Sequence, residues 1–94
     1  MRRVVSDHAA ELAGALAKHG GTNPRLFGSV ARGTARIDSD VDILVDVSDH
    51  VSLFDLLRMQ ADAEEILGLH VDIVPAGSLK PHVRDQVLRE AVAL

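Results

Sequence analysis

Apolar positions recur along the chain with two different periods, and the switches between them mark the elements. Val5, Ala9, Leu12 and Leu16 stand three or four residues apart, the spacing that gathers side chains on one face of a helix. They predict a first amphipathic helix over residues 3–18. Gly20 and Gly21 close it, because glycine past a last turn accepts the left-handed backbone on which helices end. Arg25-Leu26-Phe27 then reads as a short buried strand running into Gly28-Ser29. Ser29 to Gly33 has the length of one helical turn, with Ser29 as its expected cap. A polar stretch from Thr34 to Ser39 leads into a clear strand from Asp40 to Asp46. Leu53, Leu56, Leu57, Ala63, Ile66 and Leu67 return to the helical period and predict a second long helix over 52–67, closed by Gly68. Val71 to Val74 forms a third strand, stopped by Pro75 and Gly77. A last helix is expected to start at Ser78 and to run through Val83, Val87 and Leu88. It carries Pro81 in its first turn, where the early N–H groups lack helical partners anyway.

The order helix, strand, short helical turn, strand, helix, strand, helix predicts an α/β (α+β) fold, a small mixed sheet flanked by helices. Internal repeats, linkers and low-complexity segments are not found, and one domain is expected to fill residues 1–94. Composition then narrows the function. At 47% hydrophobic and 26% charged residues, the chain reads as globular rather than disordered. Phe27 and Phe54 are its only aromatics, and its net charge is -4. Single-strand nucleic-acid binders need stacking platforms along a basic groove, so generic nucleic-acid binding is not expected. There is no cysteine, which removes disulfides, thiol catalysis and thiolate zinc sites and fits a cytoplasmic location. Arg2 and Arg3 resemble the start of a signal segment, but Asp7, His8, Glu11 and Lys18 interrupt any apolar stretch after them. No run approaches a membrane span.

The chemistry concentrates in Gly28-Ser29-Val30-Ala31-Arg32-Gly33 followed by Asp38-Ser39-Asp40-Val41-Asp42. Residues two apart in a strand share a face, so Asp40 and Asp42 present two carboxylates side by side while Val41, Ile43 and Val45 face a core. Adjacent carboxylates repel, and a divalent cation relieves the repulsion. Mg²⁺ takes one or two carboxylates together with substrate phosphate oxygens. Asp72, an acid inside the apolar Val71-Asp72-Ile73-Val74 run, joins the pair if the third strand lies beside the second. Three carboxylates suit two metal ions that clamp the entering and leaving oxygens of a phosphoryl or nucleotidyl transfer. Asp72 is also a candidate to take the proton from an incoming hydroxyl. Gly28 lets the backbone approach a phosphate closely, N–H groups of the following turn point at the anion, and the Ser29 hydroxyl and Arg32 are candidates to add donors and charge. A P-loop is rejected because Thr34, not lysine, follows Gly33. A calcium loop starting at Asp38 is rejected because Ile43 and Asp49 stand where glycine and glutamate are required.

Together, GSVARGTARIDSDVDILV resembles the nucleotidyltransferase signature of the DNA polymerase beta superfamily, Gly-Ser followed by a spacer and Asp-x-Asp. VDIVPAG and LKPHVRDQVLREAV extend the resemblance over nearly the whole chain, most closely to the minimal nucleotidyltransferases, short antitoxin-type proteins encoded beside a HEPN-domain toxin. The resemblance implies that Gly28 and Ser29 form the phosphate-binding turn, that Asp40 and Asp42 are the metal pair, and that Asp72 is the third carboxylate. It implies ATP as substrate, two Mg²⁺ ions, and transfer of AMP to a tyrosine of the HEPN toxin, which silences it. The chain has no tyrosine of its own, and the acceptor is expected on a partner.

Simpler accounts exist for several of these residues. Asp40 and Asp42 alone would suit a solvated strand entry, Arg32 a surface position, and Asp38 and Ser39 a turn. The five histidines show no metal-ligand spacing on a helix and read as surface or packing residues, and the Lys80–Arg84 segment reads as a solvated helix start. Two other functions stay open. One is an antitoxin acting by binding alone; the other is a small-molecule nucleotidyltransferase.

Overall fold

The first helical stretch breaks at His8. In the computed structural model, which describes residues 2–36 and 39–94, α1 spans Arg2–Asp7 and α2 spans Ala9–Lys18. His8 leaves helical geometry at φ -110° and ψ 14°, and its N–H bonds back only three residues, to Val5 O at 3.1 Å. Such a tight turn offsets the two helices without ending the amphipathic pattern, for Val5, Leu12 and Leu16 are all fully buried.

β1 (Thr22–Phe27) is longer than its apolar core of Leu26 and Phe27 suggested, because its polar first half pairs with the next strand. α3 covers Gly28–Arg32. Its cap is Phe27 in extended conformation, without a side-chain cap bond, so Ser29 lies inside the helix rather than at its cap. The chain reaches its left-handed turn one residue early, at Gly28 with φ 72°. β2 (Val41–Asp46) begins one residue after Asp40. α4 (Leu53–Leu67) starts from a reciprocal cap. Ser52 Oγ accepts the Asp55 N–H at 3.2 Å, and Asp55 accepts the Ser52 N–H at 2.9 Å, which satisfies two otherwise unpartnered donors. β3 is Val71–Pro75. The last helix does not begin at Ser78: a 3₁₀ turn occupies Ala76–Ser78, and α5 runs Pro81–Glu90 with the proline in its first turn. The residue before a proline is pushed toward extended backbone, and Lys80 adopts it at ψ 146°. A fourth strand, β4 (Val92–Ala93), was not expected from the pattern, because two residues are too few to show a period.

The sheet order is β3-β2-β1-β4. β1 is antiparallel to β2 and to β4, while β2 and β3 run parallel, so the sheet is mixed. α2 and α4 pack against each other and against β1 and β3 respectively. The core between helices and sheet holds Leu26, Val41, Ile43, Val45, Val71, Leu12, Leu16, Met59 and Ala63. Along β2 the alternation puts Val41, Ile43 and Val45 into that core, and Asp42, Leu44 and Asp46 on the opposite face. A bond between His19 Nε2 and Asp62 Oδ2 at 2.8 Å ties α2 to α4 at the edge of the core. Among the described residues, no helix is long and apolar enough to cross a membrane.

Candidate active site

Strand pairing decides which carboxylates meet. β2 and β3 align Asp42 directly with Asp72, and partners in a ladder share a face. Both side chains therefore stand on the sheet face away from α2 and α4. Asp40 precedes the strand by one residue and Asp42 by two, and its charge is felt at Asp42. Across the other edge of β2, Phe27 pairs with Asp42, so the turn after β1 opens beside the same carboxylate. Gly28 is tied to this arrangement. A β-carbon added there would run into the Asp42 carboxylate, and the residue sits at φ 72°, a backbone that side chains disfavour. The glycine is the condition for bringing turn and carboxylate together.

The electrostatics differ between the two ends of β2. At its far end, Asp46 accepts from Arg25 Nη2 at 2.6 Å and from Asn23 Nδ2 at 3.1 Å. The Asn23 hydrogen bond, seconded by Arg25 and opposed by partial burial, holds Asp46 below the ordinary carboxylate value. At the near end Asp42 has the opposite surroundings. Burial, then the charges of Asp72 and Asp40, push its carboxyl above the ordinary value, and only the Arg32 charge draws it down. One acid on this face is thus neutralised by the fold, while another is made costly to ionise unless a cation joins it.

A divalent cation beside Asp42 would relieve that cost. Among the described residues, no three His, Asp or Glu side chains are already grouped to hold one. Mg²⁺ does not require such a group, because one or two carboxylates suffice when phosphate oxygens and water complete the shell. The Asp42–Asp72 pair with Asp40 at its entry fits that requirement.

The remaining candidates fall as follows. Ser29 is half-buried in the first turn of α3, and its carbonyl accepts the Thr34 N–H at 2.9 Å, which shapes the exit of the turn. Gly33 ends α3 in the left-handed region at φ 75°. Arg32 is half exposed, and its Nη1 donates to Glu90 of α5 at 3.3 Å. The Ser39 hydroxyl accepts the Arg36 N–H at 2.8 Å and its own N–H donates to Arg36 O at 3.0 Å. Asp38, read as a turn residue, lies outside the described residues. His70 is exposed, as a surface histidine should be; its Nδ1 lies 3.4 Å from Glu64, and its carbonyl accepts the Val41 N–H. Two residues of the region escaped the sequence reading. Phe27 shares the face of Asp42, which alternation from the buried Leu26 would have revealed. Glu90 is 58 positions from Arg32, and no local pattern announces that meeting.

Comparison with known proteins shows the family and the fold. A family model described as a nucleotidyltransferase domain matches residues 10–94. A "Protein adenylyltransferase MntA" from Thermococcus cleftensis is 48% identical over 67 residues, 71% of this chain and 68% of the relative. A solved structure described as "Structure of putative minimal nucleotidyltransferase" superposes with a TM-score of 0.89 at 42% identity, covering 99% of this chain and 95% of the other. The same fold recurs at 24% identity and a TM-score of 0.74 in a chain of a toxin–antitoxin crystal structure with AMP-PNP, covering 93% of this chain and 69% of that one.

Proposed function

The chain belongs to the nucleotidyltransferase-domain family and is a nucleotidyltransferase, and from that premise we propose that it moves AMP from ATP onto a hydroxyl of a partner protein, the tyrosine of a HEPN-type toxin, and so acts as an antitoxin. The observation that carries this reading is the register of Asp42 on Asp72 beside the Gly28 turn, with the Asp42 carboxyl raised by burial and like charges. The adenylyltransferase name of the Thermococcus relative supports the choice of AMP and of a protein acceptor. The toxin–antitoxin structure with AMP-PNP supports ATP as donor and a toxin as partner.

In this reading each group has a task set by its position. Asp40 and Asp42, with Asp72, would hold two Mg²⁺ ions, which when bound neutralise the triphosphate and stabilise the entering and leaving oxygens. Gly28 keeps the turn free of a side chain so that its backbone meets the phosphates. Ser29 donates its hydroxyl to a phosphate oxygen, and Arg32 offers charge to the same tail. Asp72, the exposed member of the pair, accepts the proton of the incoming hydroxyl as it attacks the α-phosphorus. The pyrophosphate departs as the new phosphodiester to the acceptor forms. The chain contains no tyrosine, so the tyrosine it modifies must be supplied by another molecule.

One observation favours a second reading, neutralisation by binding alone. Leu53, Phe54 and Leu57 are 69%, 71% and 51% exposed on the first turns of α4, an apolar patch of the kind found at protein contacts. The two readings separate in one experiment. Purified protein is incubated with α-labelled ATP, Mg²⁺ and the toxin encoded beside it, alongside the Asp40→Asn/Asp42→Asn double variant. Label on the toxin with the unaltered chain, and none with the double variant, supports transfer. Equal label from both would remove these aspartates from the chemistry. Protection of cells by a double variant that transfers nothing would favour binding.

A further inference from the structure

α5 is weakly held for a terminal helix: none of its side chains is buried, and its packing partner is α3. The ion pair between Arg32 Nη1 and Glu90, at 3.3 Å, joins these two helices. Both side chains are substantially wet, 50% and 35% exposed, and a pair so exposed adds little to stability. Arg32 is the cation whose charge reaches Asp42, and its guanidinium has five N–H donors in a fixed fork, of which Glu90 engages one nitrogen. Among the described residues Glu90 is its one hydrogen-bond partner, so the other donors can meet an anion. A free arginine here would have to be ordered each time nucleotide binds, at the cost of its rotamer freedom.

Both ends of the pair are tethered to the same strand. β1 runs through Phe27 directly into Gly28 and α3, while two residues beyond Glu90 the chain pairs back onto β1, Val92 with Leu26 and Ala93 with Arg25. The separation of Arg32 and Glu90 is therefore fixed by one rigid element. We infer that Glu90 is a positioning residue, holding the Arg32 guanidinium toward the triphosphate of the bound nucleotide. The inference rests on the nucleotidyl-transfer reading, in which Arg32 meets that triphosphate.

The test is calorimetric binding of a non-hydrolysable ATP analogue with Mg²⁺ to the whole chain, which needs no partner. Glu90→Gln keeps the shape and removes the charge, so it avoids the packing loss of a truncation. It is expected to weaken binding about 3- to 10-fold, well under or near one decade of affinity, and in turnover assays to raise the KM for ATP with kcat little changed. The Arg32→Ala/Glu90→Gln pair is expected to bind no more weakly than Arg32→Ala alone, because residues acting through one another are not additive. Unchanged or tighter binding by Glu90→Gln would overturn the inference, the latter showing that Glu90 competes with phosphate for the arginine. Full additivity in the pair would also overturn it, since a merely structural glutamate would weaken binding with or without Arg32. If the unaltered chain binds no analogue, the nucleotidyl-transfer reading fails together with the inference; if it binds and Glu90→Gln is silent, the inference alone fails.

Discussion

At the scale of single residues, Gly28 and Asp42 make one device. Gly28→Ala adds a β-carbon that runs into the Asp42 carboxylate and places a side chain at φ 72°. The left-handed backbone costs roughly 1–2 kcal/mol, which lowers the melting temperature on the order of 5–15 °C for a domain this small. Transfer is expected to fall further than stability does, by at least ~100-fold, the order seen when one group that stabilises a transition state is lost. Label transfer at a temperature where the variant is still folded measures it. Asp42→Asn predicts a different pairing of effects. Since burial and two neighbouring charges disfavour the ionised carboxyl, the neutral amide should melt no lower, and by this logic higher, than the unaltered chain without divalent ions at pH 7. The sign follows from the raised value: ionised Asp42 is a liability above its folded-state value and is relieved as pH falls through it. Mg²⁺ should raise the melting temperature of the unaltered chain by mass action and leave that of Asp42→Asn unmoved. Melting curves with and without Mg²⁺ decide both. Gly28, Asp40 and Asp42 could be picked out from residue types and spacing alone. The Glu90 partner of Arg32 could not, because nothing at position 90 encodes what folds against it.

Among the elements, α4 shows how local chemistry fixes a boundary. Ser52 and Asp55 cap each other, and Ser52→Ala is expected to lose about 1 kcal/mol, the usual worth of such a cap, readable in a urea titration. The Asp55 carboxyl is held below its ordinary value by the Ser52 backbone hydrogen bond first and the Ser52 hydroxyl second. A lowered folded-state value means that its contribution is present above the ordinary carboxylate range and is lost as pH falls through the lowered value. Asp55→Asn should therefore flatten the acid limb of the stability profile, measured as denaturation midpoint against pH. This boundary was legible: Leu53 was off by one residue from the expected start, and Gly68 ends the helix in the left-handed region as glycine allows. Elsewhere the elements followed tertiary demands. His8 breaks a helix whose apolar period continues straight through it. Ser29, a good cap by residue type, is displaced into the helix because Gly28 already supplies the turn. The residues after Ser78 wait for Pro81, since Lys80 is held extended by the ring that follows it. β4 exists only because β1 offers an edge to pair with, a condition the local sequence of Val92 and Ala93 does not contain.

For the molecule as a whole, the sheet has two unlike faces. One is covered by α2 and α4 over a core of aliphatic residues. The other carries Arg25, Phe27, Asp42, Asp46 and Asp72 by alternation and register, with its neutralised acid at one end and its strained group of acids at the other. The helix–strand order predicted this architecture, and the pairing of β2 with β3 was the condition set for Asp72 to join the other acids; that the pairing is parallel, with Asp42 on Asp72, comes from the structure. Asp72 is exposed on that face, and the proposed role as an antitoxin needs a side chain of another protein to approach it. That role requires Asp40, Asp42 and Asp72 to close on shared cations when nucleotide is present. Crystals grown with Mn²⁺ and a non-hydrolysable ATP analogue test this directly by anomalous scattering. Manganese peaks are expected within coordination distance of Asp40, Asp42 and Asp72, with the triphosphate lying along the Gly28-Ser29 turn. Nucleotide bound with no manganese at Asp42, or with the metal held away from Asp72, would contradict it.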